Sequence, residues 1–274
     1  LILIFFPFLF VSCSVKHKKT FDYIFNKTEA ITLEQSKLTL SKDITVLSFS
    51  DSSMVDRNSS IIKVDSGWIV YSKNSESSIL SFTSDGQFSG YIGHRGNGPG
   101  EYTSVYDVVV NQKSKVLEVL SDGGIFCYTF GGDFLDKKEV TYPAFSFAID
   151  DRQNYWFYVG NNTTYGDAKM ICTDENIANV AYYLHQKSNM LPMVENNFGR
   201  NGEWLTFHES LNHDLYTIEN GKLDLSYAMD FPNYKLPKKL HELSGMEVIE
   251  ELQRSNYALS LIHISEPTRL QLIS

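Results

Sequence analysis

The chain has 274 residues, 42% hydrophobic and 14% aromatic, enough apolar material for a sizeable core in one large or two small domains. Its formal net charge of −9 argues against nucleic acid as a partner, because phosphate binding needs a basic surface and no basic run interleaved with aromatics follows Lys19. Tyr and Phe are abundant (16 and 18), and the hydrophobic pattern is made of short alternating runs, so the expected class is all-β.

In chain order, Leu1 to Val11 is an apolar run too short for a transmembrane helix, which needs about 20 residues. It fits the h-region of a signal peptide. Ser12-Cys13 and the polar run Ser14 to Lys19 follow. A small residue before a cysteine at this place resembles a bacterial lipobox. The resemblance implies a lipoprotein signal peptide over 1–13, lipidation of Cys13, and a tether and lead-in over 14–40. The alternative is cleavage elsewhere with an incidental cysteine. Cys127 and Cys172 lie in apolar stretches and read as buried thiols, a disulfide between them being the other possibility.

From residue 41 onward the chain repeats. Ile79–Phe82 leads into Ser84-Asp85-Gly86-Gln87-Phe88, and Ile125–Tyr128 into Phe130-Gly131-Gly132-Asp133-Phe134. Lys169–Ile171 leads into Thr173-Asp174-Glu175-Asn176-Ile177, and Leu215–Thr217 into Glu219-Asn220-Gly221-Lys222-Leu223. Phe82, Tyr128, Ile171 and Thr217 are thus equivalent, at steps of 46, 43 and 46 residues. Asp-Gly and Asn-Gly supply the positive φ of a tight hairpin turn. Glu175 breaks the glycine rule, so the third turn is expected to be longer or of another type. Alternating strands precede each turn (Gly67–Ser72, Val116–Leu120, Tyr155–Val159, Glu203–Phe207), and before those lie Ile61–Val64, Val105–Val110 and Phe145–Ile149. About four short strands per period of about 45 residues predict a β-propeller blade. A β-sandwich is the structural alternative.

The run Phe82 to Tyr102, with its S-D-G-Q-F turn, the strand Gly90-Tyr91-Ile92 and then G-H-R-G-N-G-P-G-E-Y, resembles the six-bladed β-propeller lipoproteins of Gram-negative bacteria. The resemblance spans roughly residues 40 to 258 and implies an NHL- or TolB-like ring on a lipid anchor. It lends no catalytic residues. A partial propeller is expected over 41–258, whose 218 residues allow four to five blades at about 45 each. Ile44–Phe49 is a candidate closing strand, and Leu240–Gln253 has helical spacing. Leu259–Arg269 resembles a translated sequencing adapter, so 259–274 is set apart as an artefact.

Candidate chemistry is sparse. The loop Gly93–Tyr102 lacks the Lys-Ser/Thr of a P-loop and reads first as a blade-to-blade connector, with His94, Arg95, Glu101 and Tyr102 as ligand-facing candidates. His208 and His213, with Glu209 between, form a weak metal pattern, and no metal, cofactor or catalytic residue is assigned. Asp150-Asp151 reads as a turn. Trp68, Trp156 and Trp204 read as core. The expected role is a lipid-anchored module of the bacterial cell envelope, facing the periplasm or on the cell surface, that binds or scaffolds a protein or glycan partner. The alternative is a metal-assisted lyase or hydrolase working from the propeller channel.

Overall fold

A computed structural model describes residues 21–24, 44–48, 55, 59–73, 78–161, 166–185, 196–201, 204–209, 212–230, 237–243 and 246–253. Four antiparallel sheets succeed one another along the chain, each a blade numbered from its inner strand outward. Blade 1 is β2 (Ser60–Val64), β3 (Gly67–Tyr71), β4 (Ile79–Thr83) and β5 (Phe88–Ile92). A two-stranded parallel pair, β6 (His94–Arg95) and β7 (Glu101–Tyr102), lies in the connector to blade 2. Blade 2 is β8 (Asp107–Asn111), β9 (Val116–Ser121), β10 (Gly124–Tyr128) and β11 (Phe134–Lys138). Blade 3 is β12 (Ser146–Ile149), β13 (Tyr155–Tyr158), β14 (Ala168–Thr173) and β15 (Ala181–His185). Blade 4 is β16 (Phe198–Asn201), β17 (Trp204–His208), β18 (Asp214–Glu219) and β19 (Lys222–Asp230). A fifth strand, β1 (Phe21–Ile24), pairs in parallel with the outer edge of β19, Phe21 opposite Tyr227 and Ile24 opposite Asp230.

The blades stack face to face, with the inner strands β8, β12 and β16 in turn beside one another. Because a blade is covered on both faces, its middle strands are apolar throughout rather than alternating: all four residues of β13, Tyr155-Trp156-Phe157-Tyr158, are buried. Ile69, Tyr71 and Ile92 of blade 1 meet Leu117, Val119 and Tyr128 of blade 2. Leu120, Ile125 and Cys127 meet Phe147, Tyr155 and Phe157 of blade 3. Trp156, Tyr158 and Met170 meet Leu205 and Phe207 of blade 4. Each fully buried side chain of this size contributes about 1.5–3 kcal/mol by leaving water. Cys127 and Cys172 are both free and buried, and burial pushes each thiol up to about 12, so both are inert core residues.

The turns between third and fourth strands hold the one surprise of the repeat. In blade 1 the Thr83 N–H donates to Gln87 O (2.9 Å) and Gly86 N–H to Thr83 O (2.9 Å). Blade 2 repeats this with Thr129, Gly132 and Asp133, and blade 3 with Asp174, Ile177 and Ala178. The third turn therefore has the same hydrogen-bond pattern as the first two. Ile177, at φ 58°, takes the place of glycine, and Asp174 Oδ1 accepts the Ala178 N–H (2.9 Å) as Thr83 Oγ1 accepts that of Gln87 (3.0 Å). Packing of Ile177 against the blade 2–3 core offsets a backbone cost of about 1–2 kcal/mol. The fourth turn is the different one, a two-residue Asn220-Gly221 hairpin with both φ positive (55° and 72°).

The expected closing strand Ile44–Phe49 is not a strand over the described residues 44–48. Ser48 makes a single parallel bridge to Gln87, and Phe49 lies outside the described residues. The position of 44–48 is nevertheless repetitive. Ser48 N–H donates to Gly86 O (2.8 Å) as Gly93 N–H donates to Gly132 O (3.4 Å). A Cβ on Gly86 would sit 2.1 Å from Val46 O, and one on Gly132 2.4 Å from Tyr91 O. Residues 44–48 thus lie on blade 1 as the end of β5 lies on blade 2. The strand that caps blade 4 is β1 instead. The helical spacing at 240–253 is realised as a 3-10 turn, Lys238–His241, and a helix α1 (Met246–Gln253), with Leu240 and Val248 buried together and Lys239 bridged to Glu251 at 2.8 Å.

Candidate functional site

The blade arrangement gives two faces. One carries the turns: Arg152, between β12 and β13, donates through Nη2 to Asn220 Oδ1 (3.3 Å) between β18 and β19, and Lys115 bridges to Asp65 (2.9 Å). The connector begins beside the blade 2 hairpin turn, where Gly93 N–H donates to Gly132 O (3.4 Å), and its end, Thr103 to Tyr106, lies on the other face with the Asp122-Gly123 turn. There Thr103 Oγ1 and Ser104 Oγ donate to Asp122 Oδ2 (2.7 and 2.9 Å), and the Tyr106 hydroxyl to Oδ1. The Tyr106 hydroxyl and its neighbours hold the Asp122 carboxyl below the usual carboxylate range.

Glu101 folds the connector back on itself. Its Oε2 accepts the Gly98 N–H (2.8 Å), its N–H donates to Gly98 O (3.1 Å), and Gly96 N–H donates to Tyr102 O (3.0 Å). A Cβ on Gly96 would come within 2.0 Å of that Oε2, and one on Gly100 within 2.6 Å of the Phe134 ring, which explains two of the glycines. Tyr102 is buried at 1% exposure. Its hydroxyl accepts the Ile79 N–H (3.3 Å) and donates to Ile92 O (3.2 Å), and burial raises its pKa. The Tyr128 hydroxyl donates to Gly100 O (2.9 Å). Tyr102 is therefore a core residue rather than a ligand-facing one, and Glu101 is spent inside the loop. His94 and Arg95 are exposed, with Arg95 Nε donating to Thr103 O (2.8 Å).

Three buried acidic residues join the blades: Asp107 and Glu118, which the sequence alone did not mark out, and Glu209, which it marked only as part of a weak metal pattern. Asp107 takes Lys73 at 2.8 Å, the Tyr71 hydroxyl at 3.5 Å and the Phe147 N–H at 3.1 Å, linking blades 1, 2 and 3. Glu209 takes Lys169 at 3.1 Å, the Tyr158 hydroxyl at 3.0 Å and Asn212 Nδ2 at 3.4 Å between blades 3 and 4. Glu118 accepts from the Tyr155 hydroxyl (2.8 Å) and Asn111 Nδ2 (3.0 Å) between blades 2 and 3, and burial, with the Glu118 carboxylate second, raises the tyrosine's pKa. The available signal was a charged residue inside an apolar strand, as in V-L-E-V-L and Y-D-V-V-V.

His208 and His213 do not act as a pair with Glu209, which is engaged by Lys169. His208 is buried at the end of β17, its Nε2 has no hydrogen-bond partner, and burial lowers its pKa, so the imidazole is neutral. Among the described residues no three His, Cys, Asp or Glu side chains are grouped to hold a metal. Asp150 is a turn residue as expected, taking the Arg152 N–H, the Asn154 N–H and Trp156 Nε1, while Asp151 is exposed. Trp156 is core and Trp68 is partly buried against Val70, Leu80 and Phe82. Trp204 is 66% exposed, which corrects its assignment to the core: it lies on the face of blade 4 that no other described blade covers.

Four face-stacked, four-stranded blades joined through their inner strands define a β-propeller. Residues 26–266 match a domain of unknown function, DUF4934, and the chain belongs to that family. The matched stretch ends inside the run that begins at Leu259. Among solved structures, a Bacteroides fragilis protein described as exported has a TM-score of 0.72 at 16% identity, over 86% of this chain and 69% of that one. A member of the duf4221 family from Bacteroides vulgatus (TM-score 0.44, 9% identity) aligns over 66% of this chain and 61% of its own. A streptogramin B lyase (TM-score 0.44, 18% identity) aligns over 68% and 57%. The first likeness is one of fold. A comparison with curated proteins finds no match. Among the described residues no helix is long and apolar enough to cross a membrane.

Proposed function

We propose that the chain is an exported binding or scaffold module of the cell envelope, held to the membrane by a lipid on Cys13, that takes a protein or glycan partner on its connector face. The observation that carries this is the build of the 93–102 loop. Its backbone is tied internally by Glu101, Tyr102 and Tyr128, while His94 and Arg95 project outward. A rigid loop presenting exposed polar side chains is how a scaffold displays a recognition surface at low entropic cost. The neighbouring rim adds exposed apolar area at Phe134 and Leu135 of β11. The buried charges Asp107, Glu118 and Glu209 serve the blade interfaces, and no observation among the described residues favours the channel lyase or hydrolase.

The same reading takes the blades as part of a six-bladed ring of the lipoprotein kind. Its support is the placement of 44–48, which occupies on blade 1 the position an outer strand of a preceding blade would occupy. The test is capture of envelope proteins and an envelope glycan panel on the purified chain, with His94→Ala/Arg95→Ala beside it. A partner held at least about tenfold more weakly by the double variant, a change of about 1.4 kcal/mol, at unchanged Tm, supports the assignment. Equal binding by both proteins contradicts it.

A further inference from the structure

We propose that the side of blade 4 turned away from blade 3 is the docking face for a further blade of the same polypeptide, which places a carboxylate on His208 Nε2 and covers Trp204. This rests on the reading of the four blades as part of a larger ring.

Side chains alternate along a strand. On β17, Leu205 and Phe207 pack against Trp156, Tyr158 and Met170 of blade 3. Glu209, just past the strand end, takes Lys169 and the Tyr158 hydroxyl of the same blade. Trp204, Thr206 and His208 therefore line the opposite side. Trp204 is 66% exposed there, Thr206 is half-buried, and the buried His208 has no hydrogen-bond partner at Nε2. Native interiors rarely keep a buried polar atom unpaired, because it has lost water and gained nothing.

The three interfaces between described blades show what such an atom meets. Tyr71, Tyr158 and His208 each end the second strand of their blade. Tyr71 and Tyr158 face the blade that follows, and their hydroxyls donate to a buried carboxylate on it, Asp107 (3.5 Å) and Glu209 (3.0 Å). Between blades 2 and 3 the polarity is reversed, with Tyr155 of the later blade donating to Glu118 of the earlier one (2.8 Å). Each of these interfaces thus buries a carboxylate against a ring-borne donor. His208 holds that donor position on a face that no described blade covers, and a neutral imidazole can carry its proton on Nε2. Trp204 supplies apolar area beside it. The source is the same polypeptide, since the described blades succeed one another along one chain.

The test compares the 274-residue chain with the protein expressed from the full gene, in which native sequence stands in place of 259–274. Acrylamide quenching is read as the difference between each protein and its Trp204→Phe variant, which separates Trp204 from Trp68 and Trp156. Trp204 is expected to be severalfold less quenchable in the longer protein, at a monomeric mass. His208→Phe keeps a ring and removes both nitrogens. It should leave Tm unchanged or raise it in the 274-residue chain, where Nε2 is unpaired, and lower it by several degrees in the longer protein. Equal quenching of Trp204 in the two monomers overturns the docking, and so does the same Tm shift in both. Protection of Trp204 only in a dimer gives the face to a second copy and overturns it too. Small-angle X-ray scattering on the longer protein separates the two readings. A closed ring with Trp204 still open overturns the docking alone, whereas an open four-blade profile overturns the ring and the docking together.

Discussion

Gly131 and Gly132 are adjacent, yet only one of them is structurally demanding. Gly132 has φ +99°, and a Cβ there would lie 2.4 Å from Tyr91 O, whereas a Cβ on Gly131 meets nothing nearer than Thr129 Oγ1 at 3.6 Å. Gly132→Ala should lower stability by about 2–4 kcal/mol and Gly131→Ala by no more than about 0.5 kcal/mol, read by denaturant or thermal unfolding. Lys169 and Glu209 form a buried pair, both under 10% exposed. Lys169→Met strands the carboxylate and should cost about 3–5 kcal/mol, with partial recovery on adding Glu209→Gln. His208 gives a pH signature. Its folded pKa is lowered by burial, so the folded state binds fewer protons than the unfolded state, and its contribution to stability falls as pH drops below the unfolded value of about 6.5. His185, raised by Asp167, acts in the opposite sense. The difference between the wild type and His208→Gln isolates the first effect: His208→Gln should flatten the loss of stability between pH 7 and 5.5, and identical pH profiles would contradict the assignment.

At the scale of elements, β1 covers an edge that would otherwise be open. Removing residues 14–24 exposes the edge of β19, and the truncated chain is expected to associate with itself at concentrations where the full chain does not, as seen by size-exclusion chromatography with light scattering. Most elements were legible in the sequence because hairpin turns announce themselves: Asp85-Gly86 and Asn220-Gly221 set both the period and the strand ends. The third turn was misplaced because Ile177 adopts a backbone conformation that β-branched residues disfavour, and only the packing of blade 3 against blade 2 allows it. β1 was not legible. Four residues, F-D-Y-I, carry too little periodicity to be found, and their pairing partner is some 200 residues away in sequence. The loop candidates divided for the same kind of reason. Composition marks Gly93–Tyr102 as a loop, but that Tyr102 turns inward to Ile79 and Ile92 depends on blade 1, which local sequence does not encode.

For the whole molecule, the two faces have separate work. The turn face gathers the short hairpins. The connector face gathers residues 103–106, the Asp122 cluster and the outer ends of two inter-blade ion pairs, with the 93–102 loop at its edge between blades 1 and 2, so it is at once the better braced and the more distinctive surface. The recognition role proposed for the 93–102 loop is most directly tested by a photo-crosslinking residue placed in the chain in cells, at Asn97 in the loop or at Asp151 on the turn face. The account predicts a discrete adduct from position 97 that is lost in the His94→Ala/Arg95→Ala background, with none from position 151. The same adducts from both positions, or an adduct from 97 indifferent to His94 and Arg95, would contradict it.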